Sequence, residues 1–131
     1  MADAKGDIFR EDGLVLEENY TKTNVSVTKG KVVVFDTDGY AHCGAATAAL
    51  TKAFMANSSV VADGATRQKL VIVRQGYCRV AKVAGAGAID SGNTPTFAAS
   101  GELTTGANAV GNMIVVTSNN AAALFYEVYI G

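Results

Sequence analysis

The chain has 131 residues, 49% of them hydrophobic, and its 11 Lys and Arg residues nearly balance its 12 Asp and Glu residues at a net charge of -1. This composition is typical of one folded domain and excludes a disordered chain. No basic cluster is dense enough to follow a phosphate backbone, so a nucleic-acid partner is not expected. No run approaches the roughly 20 apolar residues of a membrane span and the start of the chain has no signal core, so we expect a soluble protein made in a cytoplasm, with no membrane partner.

The apolar residues are mostly small. Ala and Val dominate, Trp is absent, and aromatic residues make up only 8% of the chain. A core of small side chains buries less area per residue, and each buried Å² is worth roughly 25 cal/mol. We therefore expect the domain to complete its burial against a partner or in an oligomer.

The start of the chain differs in character from the rest. Residues 1–13 are polar, lack an apolar period and end in a turn-like Glu-Asp-Gly. This pattern predicts a flexible N-terminal arm ahead of a single β domain over residues 14–131. Early in that domain, Val25 and Val27 alternate with polar residues at the period of a strand.

The clearest local unit is a β-hairpin. The β-branched and aromatic run Val32–Phe35 predicts a strand, and Asp38 and Gly39 supply a tight turn. Tyr40 then begins the returning strand.

Residues 45–56 are ambiguous between helix and strand. Ala46, Leu50 and Phe54 recur at four-residue intervals, which fits one face of a short helix that ends at Asn57. The same small residues also fit a strand packed on a sheet. The spacing favours one short helix, and the strand remains the alternative.

From residue 69 onward the sequence indicates β structure. Two apolar runs flank Gln75 and Gly76, which predicts a strand, a turn or bulge, and a second strand. Cys78, Val80 and Val83 are the expected inward residues of the second strand.

Two further strands close the chain. Met113–Thr117 predicts the first, residues 118–120 form a turn, and Leu124–Ile130 forms the last strand, whose alternate residues define two faces. Short strands and frequent turns predict an all-β fold, a small barrel or sandwich.

The sequence "GAGAIDSG", which contains Gly85, Gly87 and Gly92, suggests a phosphate-binding loop at first sight. A dinucleotide site needs G-x-G-x-x-G between a strand and a helix, with an acidic residue about 20 positions further on. Here the third glycine comes too late, and Pro95 and Gly101 prevent a helix of useful length. Without that helix no row of free N–H groups points at a phosphate, so we expect no nucleotide cofactor.

Metal sites are also not expected. Asp36–Gly39 resembles the start of a calcium loop, but Thr47 stands where that 12-residue pattern requires Glu. His42, Cys43 and Cys78 number three, whereas a structural zinc site uses four ligands. We expect two buried, reduced thiols, and a disulfide between Cys43 and Cys78 remains an open alternative.

Hydrolytic chemistry would have to use His42, the single histidine. No Ser lies in a G-x-S-x-G sequence, and the carboxylate pairs at residues 17–18 and at Asp36 and Asp38 fall on polar segments. No acid, base and oriented nucleophile are assembled, so the sequence predicts that the protein is not an enzyme.

Two segments resemble the small capsid decoration (cement) proteins of tailed phages and related viruses. In the first, a V-x-x-G-x-V-V-V strand runs into an Asp-Gly turn, and it is matched by Val27, Gly30, residues 32–34, Asp38 and Gly39. In the second, a strand ending in Gly precedes a small-residue segment. Its positions are matched by Gly76, Val80, Ala88, Ile89, Gly92 and Phe97. The resemblance extends over residues 25–130, with the closing β segment included.

The resemblance implies a small β-barrel or β-tulip-like domain that forms a homotrimer on the outside of an icosahedral shell. Such a protein bridges neighbouring major capsid subunits, and its location is the virion surface. A flexible N-terminal arm can order on such a shell by adding a strand to a neighbour, which exchanges conformational entropy for backbone hydrogen bonds. In this setting the glycines of "GAGAIDSG" turn the chain, Ile89 anchors it in the barrel, and the small residues suit a contact between subunits.

A second hypothesis is a ligand- or carbohydrate-binding β module on a virion or cell surface. It requires exposed aromatic rings on one sheet face, for which Tyr126, Tyr40 and Tyr77 are the candidates. Buried tyrosines are the simpler interpretation of the same residues.

Overall fold

The computed structural model describes residues 5–36, 38–44, 52–106, 110–117 and 124–131. Within these ranges the chain forms nine strands: β1 (Ile8–Tyr20), β2 (Val32–Asp36), β3 (Gly39–His42), β4 (Ala53–Ala56), β5 (Lys69–Ala81), β6 (Thr96–Phe97), β7 (Leu103–Thr104), β8 (Met113–Thr117) and β9 (Phe125–Ile130). A single turn of 3-10 helix, Ala99–Gly101, lies between β6 and β7. The all-β prediction is confirmed.

Seven strands form one antiparallel sheet, in the order β3-β2-β4-β5-β9-β8, with β1 on the other edge of β5. β6 and β7 pair separately as a short hairpin. Directly after β1, Thr21 makes a single parallel bridge to Tyr40 of β3. The sheet therefore curves until its β3 end meets the end of β1.

β5 organises the sheet. One of its edges pairs with β4 around Ile72 and Val73 and then with β9 from Gly76 to Ala81. Its other edge pairs with β1 along most of its length. This arrangement suits the sequence of β5, in which Leu70, Ile72 and other β-branched or apolar residues are fully buried.

The sequence indicated a turn or bulge at Gly76, and the structure has a bulge. β5 is continuous, and the irregularity lies in β1, where the register passes from Arg10–Tyr77 to Val15–Gln75. Gly76 has a φ of +143°, and a Cβ there would lie 3.0 Å from the Leu14 side chain. The missing side chain thus makes room for Leu14 over the strand.

The hairpin predicted around Asp38 and Gly39 is confirmed, because Val33 pairs with His42 and Phe35 with Tyr40. The two predicted C-terminal strands correspond to β8 and β9. The turn expected at residues 118–120 lies outside the described residues.

The helix favoured for residues 45–56 is wrong where the structure describes it. Ala53–Ala56 is β4, which lies between β2 and β5 with all four residues buried. Backbone hydrogen bonding to β2 and β5 makes this segment a strand. The spacing of apolar residues within the segment cannot show such pairing with distant strands. Residues 45–51 lie outside the described part of the chain.

Residues 1–4 of the flexible arm predicted for residues 1–13 lie outside the described part of the chain, and most of the described remainder is paired with β5. From Ile8 onward the chain belongs to β1, and Gly6 N donates to Arg79 O at 2.8 Å while Arg79 N donates to Asp7 O at 2.9 Å. Gly6 is buried against Gly30, where an added Cβ would lie 2.9 Å from Gly6 N. A close backbone contact between distant segments therefore fixes residues that look like an arm in sequence.

One hydrophobic cluster forms the core. As predicted, Cys78 and Val80 point into it, whereas Val83 follows the end of β5 and is only half-buried. The two faces of β9 are also as predicted. Tyr126, Val128 and Ile130 are fully buried, and the residues between them are partly exposed.

Candidate functional site

The "GAGAIDSG" stretch covers an edge of the sheet. After a turn in which Ala86 N donates to Val83 O, Ile89 enters the core with 7% of its surface exposed. Gly92 N then donates to Val115 O, and Val115 N donates to Asn93 O, both at 2.8 Å. The stretch therefore caps the outer side of β8.

Two buried side chains hold the carbonyl groups of this stretch. Lys82, with 3% of its surface exposed, donates from Nζ to Ala86 O at 2.7 Å, and the Tyr126 hydroxyl donates to Gly87 O at 2.8 Å. Burial lowers the pKa of Lys82. The glycine-rich backbone thus accepts hydrogen bonds from the protein's own side chains, in a geometry unlike that of a phosphate-binding loop.

An open groove of about 450 Å³ lies beside the same stretch. It is lined by Ala88, Ile89, Asp90, Asn93, Thr94, Thr105 and Gly106. Among the described residues of this lining, Asp90 is the one ionisable side chain.

His42 serves the fold. Its Nε2 accepts a hydrogen bond from Thr28 N at 3.1 Å, and burial, with Lys31 nearby, lowers its pKa. The imidazole is therefore neutral at pH 7, and one nitrogen is already occupied by the backbone.

Both cysteines are free and buried, as the simpler interpretation of the sequence predicted. Burial raises the pKa of Cys43 to about 12 and also raises that of Cys78. The Cys43 thiol donates weakly to Ala98 O at 3.7 Å. Neither thiol is ionised at neutral pH, so neither is an activated nucleophile.

Three of the four carboxylates considered for catalysis, Glu17, Glu18 and Asp36, lie in surface ion pairs. Asp36 contacts Lys22 at 2.9 Å, and Glu17 contacts Arg74 at 3.2 Å. Among the described residues, no three His, Cys, Asp or Glu side chains converge in a way that could hold a metal ion.

The aromatic candidates for ligand binding divide between core and surface. Tyr126 and Tyr40 are buried, at 0% and 7% exposure, so they cannot stack on a ligand. Tyr77 lies on the outer face, with its ring centroid 4.8 Å from that of Tyr129 and with the Arg10 guanidinium 4.2 Å above it. Tyr129 was not among the aromatic candidates predicted from the sequence. The alternation of residues in β9 could have identified it, because it places Tyr129 on the opposite face of the strand from Tyr126.

β1 is a largely exposed strand of the sheet. One edge of this 13-residue strand pairs with β5, and no strand of the described residues pairs with its other edge between Ile8 and Tyr20. Val15 and Leu16 each expose 45% of their surface there. A long open edge with exposed apolar side chains is the usual mark of an interaction surface, because isolated sheet domains normally block such edges.

Comparison with known proteins yields no match: no family model, curated protein or solved structure is significantly similar to the chain. No helix in the described ranges has the length and apolar character needed to span a membrane.

Proposed function

We propose that this chain is a structural capsid decoration (cement) protein, which binds the outside of an icosahedral viral shell as a homotrimer and stabilises contacts between major capsid subunits. The observation that carries the proposal is the open edge of β1 with its exposed Val15 and Leu16. A major capsid subunit that covers this edge with an extended segment gains backbone hydrogen bonds and buries apolar surface in one step.

The two segments that resemble decoration proteins support the proposal, because both coincide with folded units. The first ends in the hairpin of β2 and β3. The second begins in β5 and continues through Ile89 and Phe97, both of which are buried in the core. Residues that match the family pattern therefore lie where they shape the domain.

The site chemistry favours a binding protein over an enzyme. His42 accepts a backbone hydrogen bond, both thiols are protonated at neutral pH, and the candidate carboxylates Glu17 and Asp36 are paired with cations. These groups stabilise the domain, whose task on a shell is to add contacts. Because a shell carries many copies, modest contacts per subunit produce firm attachment.

Binding to expanded, undecorated shells of the cognate virus tests this function. We expect added density at the three-fold or quasi-three-fold positions in cryo-electron microscopy, and its absence would refute the proposal. Replacing Val15 and Leu16 together with Thr, which keeps a β-forming side chain, should lower the occupancy of these positions. Val61→Thr is the matched control, because Val61 is 83% exposed but lies outside every strand.

Carbohydrate binding is the second candidate, and the partly exposed Tyr77 and Tyr129 rings favour it. Their mutual contact and the position of Arg10 leave less open ring surface than a stacking platform offers. A glycan array should therefore show no binding above background. Binding that is lost in Tyr129→Ala would establish this alternative instead.

A further inference from the structure

We propose that the open edge of β1 around residues 15–19 accepts an extended, lysine- or arginine-rich segment of a partner protein as an additional strand. This inference rests on the proposed function, because it names the kind of partner segment that the attachment surface takes.

The backbone geometry gives the positions that are available for pairing. Thr21 N donates to Gln68 O at 2.9 Å, and residues 16–20 continue the same antiparallel register with β5. In an antiparallel pair, residues whose N–H and C=O groups face the partner alternate with residues whose groups face away. Leu16 and Glu18 consequently direct their backbone groups away from β5, towards an incoming strand.

The charge of β1 gives the chemistry of that strand. Its sequence, IFREDGLVLEENY, contains one Arg and four acidic residues, for a net charge of -3. The side chains of Glu17 and Glu18 are 41% and 61% exposed even with their ion-pair partners on β5, and no ion pair is formed by Glu11 among the described residues. Cations on a strand laid beside β1 would lie next to these carboxylates, and opposite charges on adjacent strands stabilise pairing.

The same charge disfavours a second copy of this chain as the occupant. Pairing two β1 strands edge to edge would bring the four carboxylates of one copy next to those of the other, with Arg10 on the strand and Lys69 and Arg74 on β5 offsetting them only in part. In the antiparallel register centred on Glu17, the two Glu17 residues face each other directly, and like charges in that position destabilise a sheet. A basic segment meets the same backbone groups without this repulsion.

Fluorescence anisotropy with two labelled peptides tests the inference on the whole chain. The basic probe is Lys-Val-Thr-Val-Lys-Thr-Lys, and the acidic probe has Glu in place of each Lys. We expect the basic probe to bind at least about tenfold more tightly, with a preference that weakens as salt is raised. Equal affinities, or no binding of the basic probe, would overturn the inference.

Two variants separate backbone pairing from charge. Glu18→Pro removes both the carboxylate and an N–H that faces solvent, a change that an edge strand tolerates, whereas the matched variant Glu18→Gln removes the charge alone. With the circular dichroism spectrum retained, Glu18→Pro should bind the basic probe about tenfold more weakly than Glu18→Gln. Glu18→Lys should weaken the same binding, whereas Asp90→Lys makes an equal change of net charge away from β1 and should leave it unaltered. If Glu18→Pro is unfolded, the comparison of Glu18→Lys with Asp90→Lys still tests the inference. Equal effects of these two variants on binding of the basic probe would overturn it.

Two further results distinguish this inference from the proposed function. If the protein binds shells but does not bind the basic probe, the inference is overturned and the proposed function is retained. If it binds the basic probe but not the shells, the proposed function alone is refuted. Concentration-dependent dimers in analytical ultracentrifugation that Glu18→Pro abolishes would identify a second copy as the occupant and overturn the inference.

Discussion

Replacing Gly30 with alanine should displace the N-terminal segment of the fold, whereas replacing Gly92 should not. The two glycines have almost the same backbone conformation, with φ values of +92° and +91°. A Cβ on residue 30 would lie 2.9 Å from Gly6 N and 3.0 Å from the Lys5 side chain. A Cβ on residue 92 would meet nothing within 4 Å. Comparing the two variants therefore separates the free-energy cost of the left-handed backbone conformation from the cost of the clash with residues 5 and 6.

The expected magnitudes follow from these differences. Forcing an L side chain into a left-handed conformation costs about 1–2 kcal/mol, which both variants lose from the free energy of unfolding. At residue 30 the clash is with backbone and cannot be relieved by a rotamer change, so the segment before β1 must move. It would then lose the two hydrogen bonds that Gly6 and Asp7 make with Arg79, each worth about 1 kcal/mol. We expect about 1–2 kcal/mol for Gly92→Ala and about 3–4 kcal/mol for Gly30→Ala.

Urea denaturation measures the free energies, and amide hydrogen exchange at Arg79 reports the displacement directly. Exchange at this amide should accelerate in Gly30→Ala but not in Gly92→Ala. Gly87→Ala completes the series, since Gly87 has no positive φ and open space at its Cβ, and its effect should be near zero. Equal destabilisation by the Gly30 and Gly92 variants would show that the contact between Gly6 and Gly30 is not formed.

Three other predictions concern single side chains. Because folding lowers the pKa of His42 from its ordinary value of 6.5, the free energy of unfolding should be highest above pH 6.5 and should decrease as the pH falls below it. His42→Gln, whose side-chain oxygen can still accept a hydrogen bond from Thr28 N, should remove this pH dependence. Tyr126→Phe removes the hydrogen bond to Gly87 O and should cost about 1 kcal/mol in urea denaturation, so an unchanged midpoint would contradict the bond. Hydrogen bonds from its own loop lower the pKa of Asp63 to about 2, so its contribution to the stability of the fold should be lost as the pH falls from 3.8 towards 2. In acid titrations, Asp63→Asn should not show this loss of stability.

Sequence reasoning was reliable where local chemistry decides the conformation. An Asp-Gly pair favours a tight turn through its own backbone preferences, and the β-branched runs of β5 and β8 favour a strand in any sheet. The alternation in β9 likewise predicted two faces. It could not show which face is buried, because that depends on the strands that cover Tyr126.

It was unreliable where distant residues decide. Phe54 and its neighbours have helical spacing, but β4 is a strand because β2 and β5 pair with it from both sides. Gly6 and Gly30 meet only after the chain has folded, so polar composition alone suggested an arm. The open edge of β1 could not be predicted for the same reason, since an edge is defined by the absence of a neighbour in space.

The position of β5 has a consequence for how the chain folds. β1 and β9, the first and last strands, both pair with β5, so Ile8 meets Cys78 and Ala81 meets Phe125 across long intervening segments. Closing such loops early is entropically unfavourable, and folds rich in these contacts form slowly. During synthesis β5 leaves the ribosome before β9, so the edge of β5 that pairs with β9 stays unpaired until the last strand is made. We expect the completed sheet to appear late and in one cooperative step.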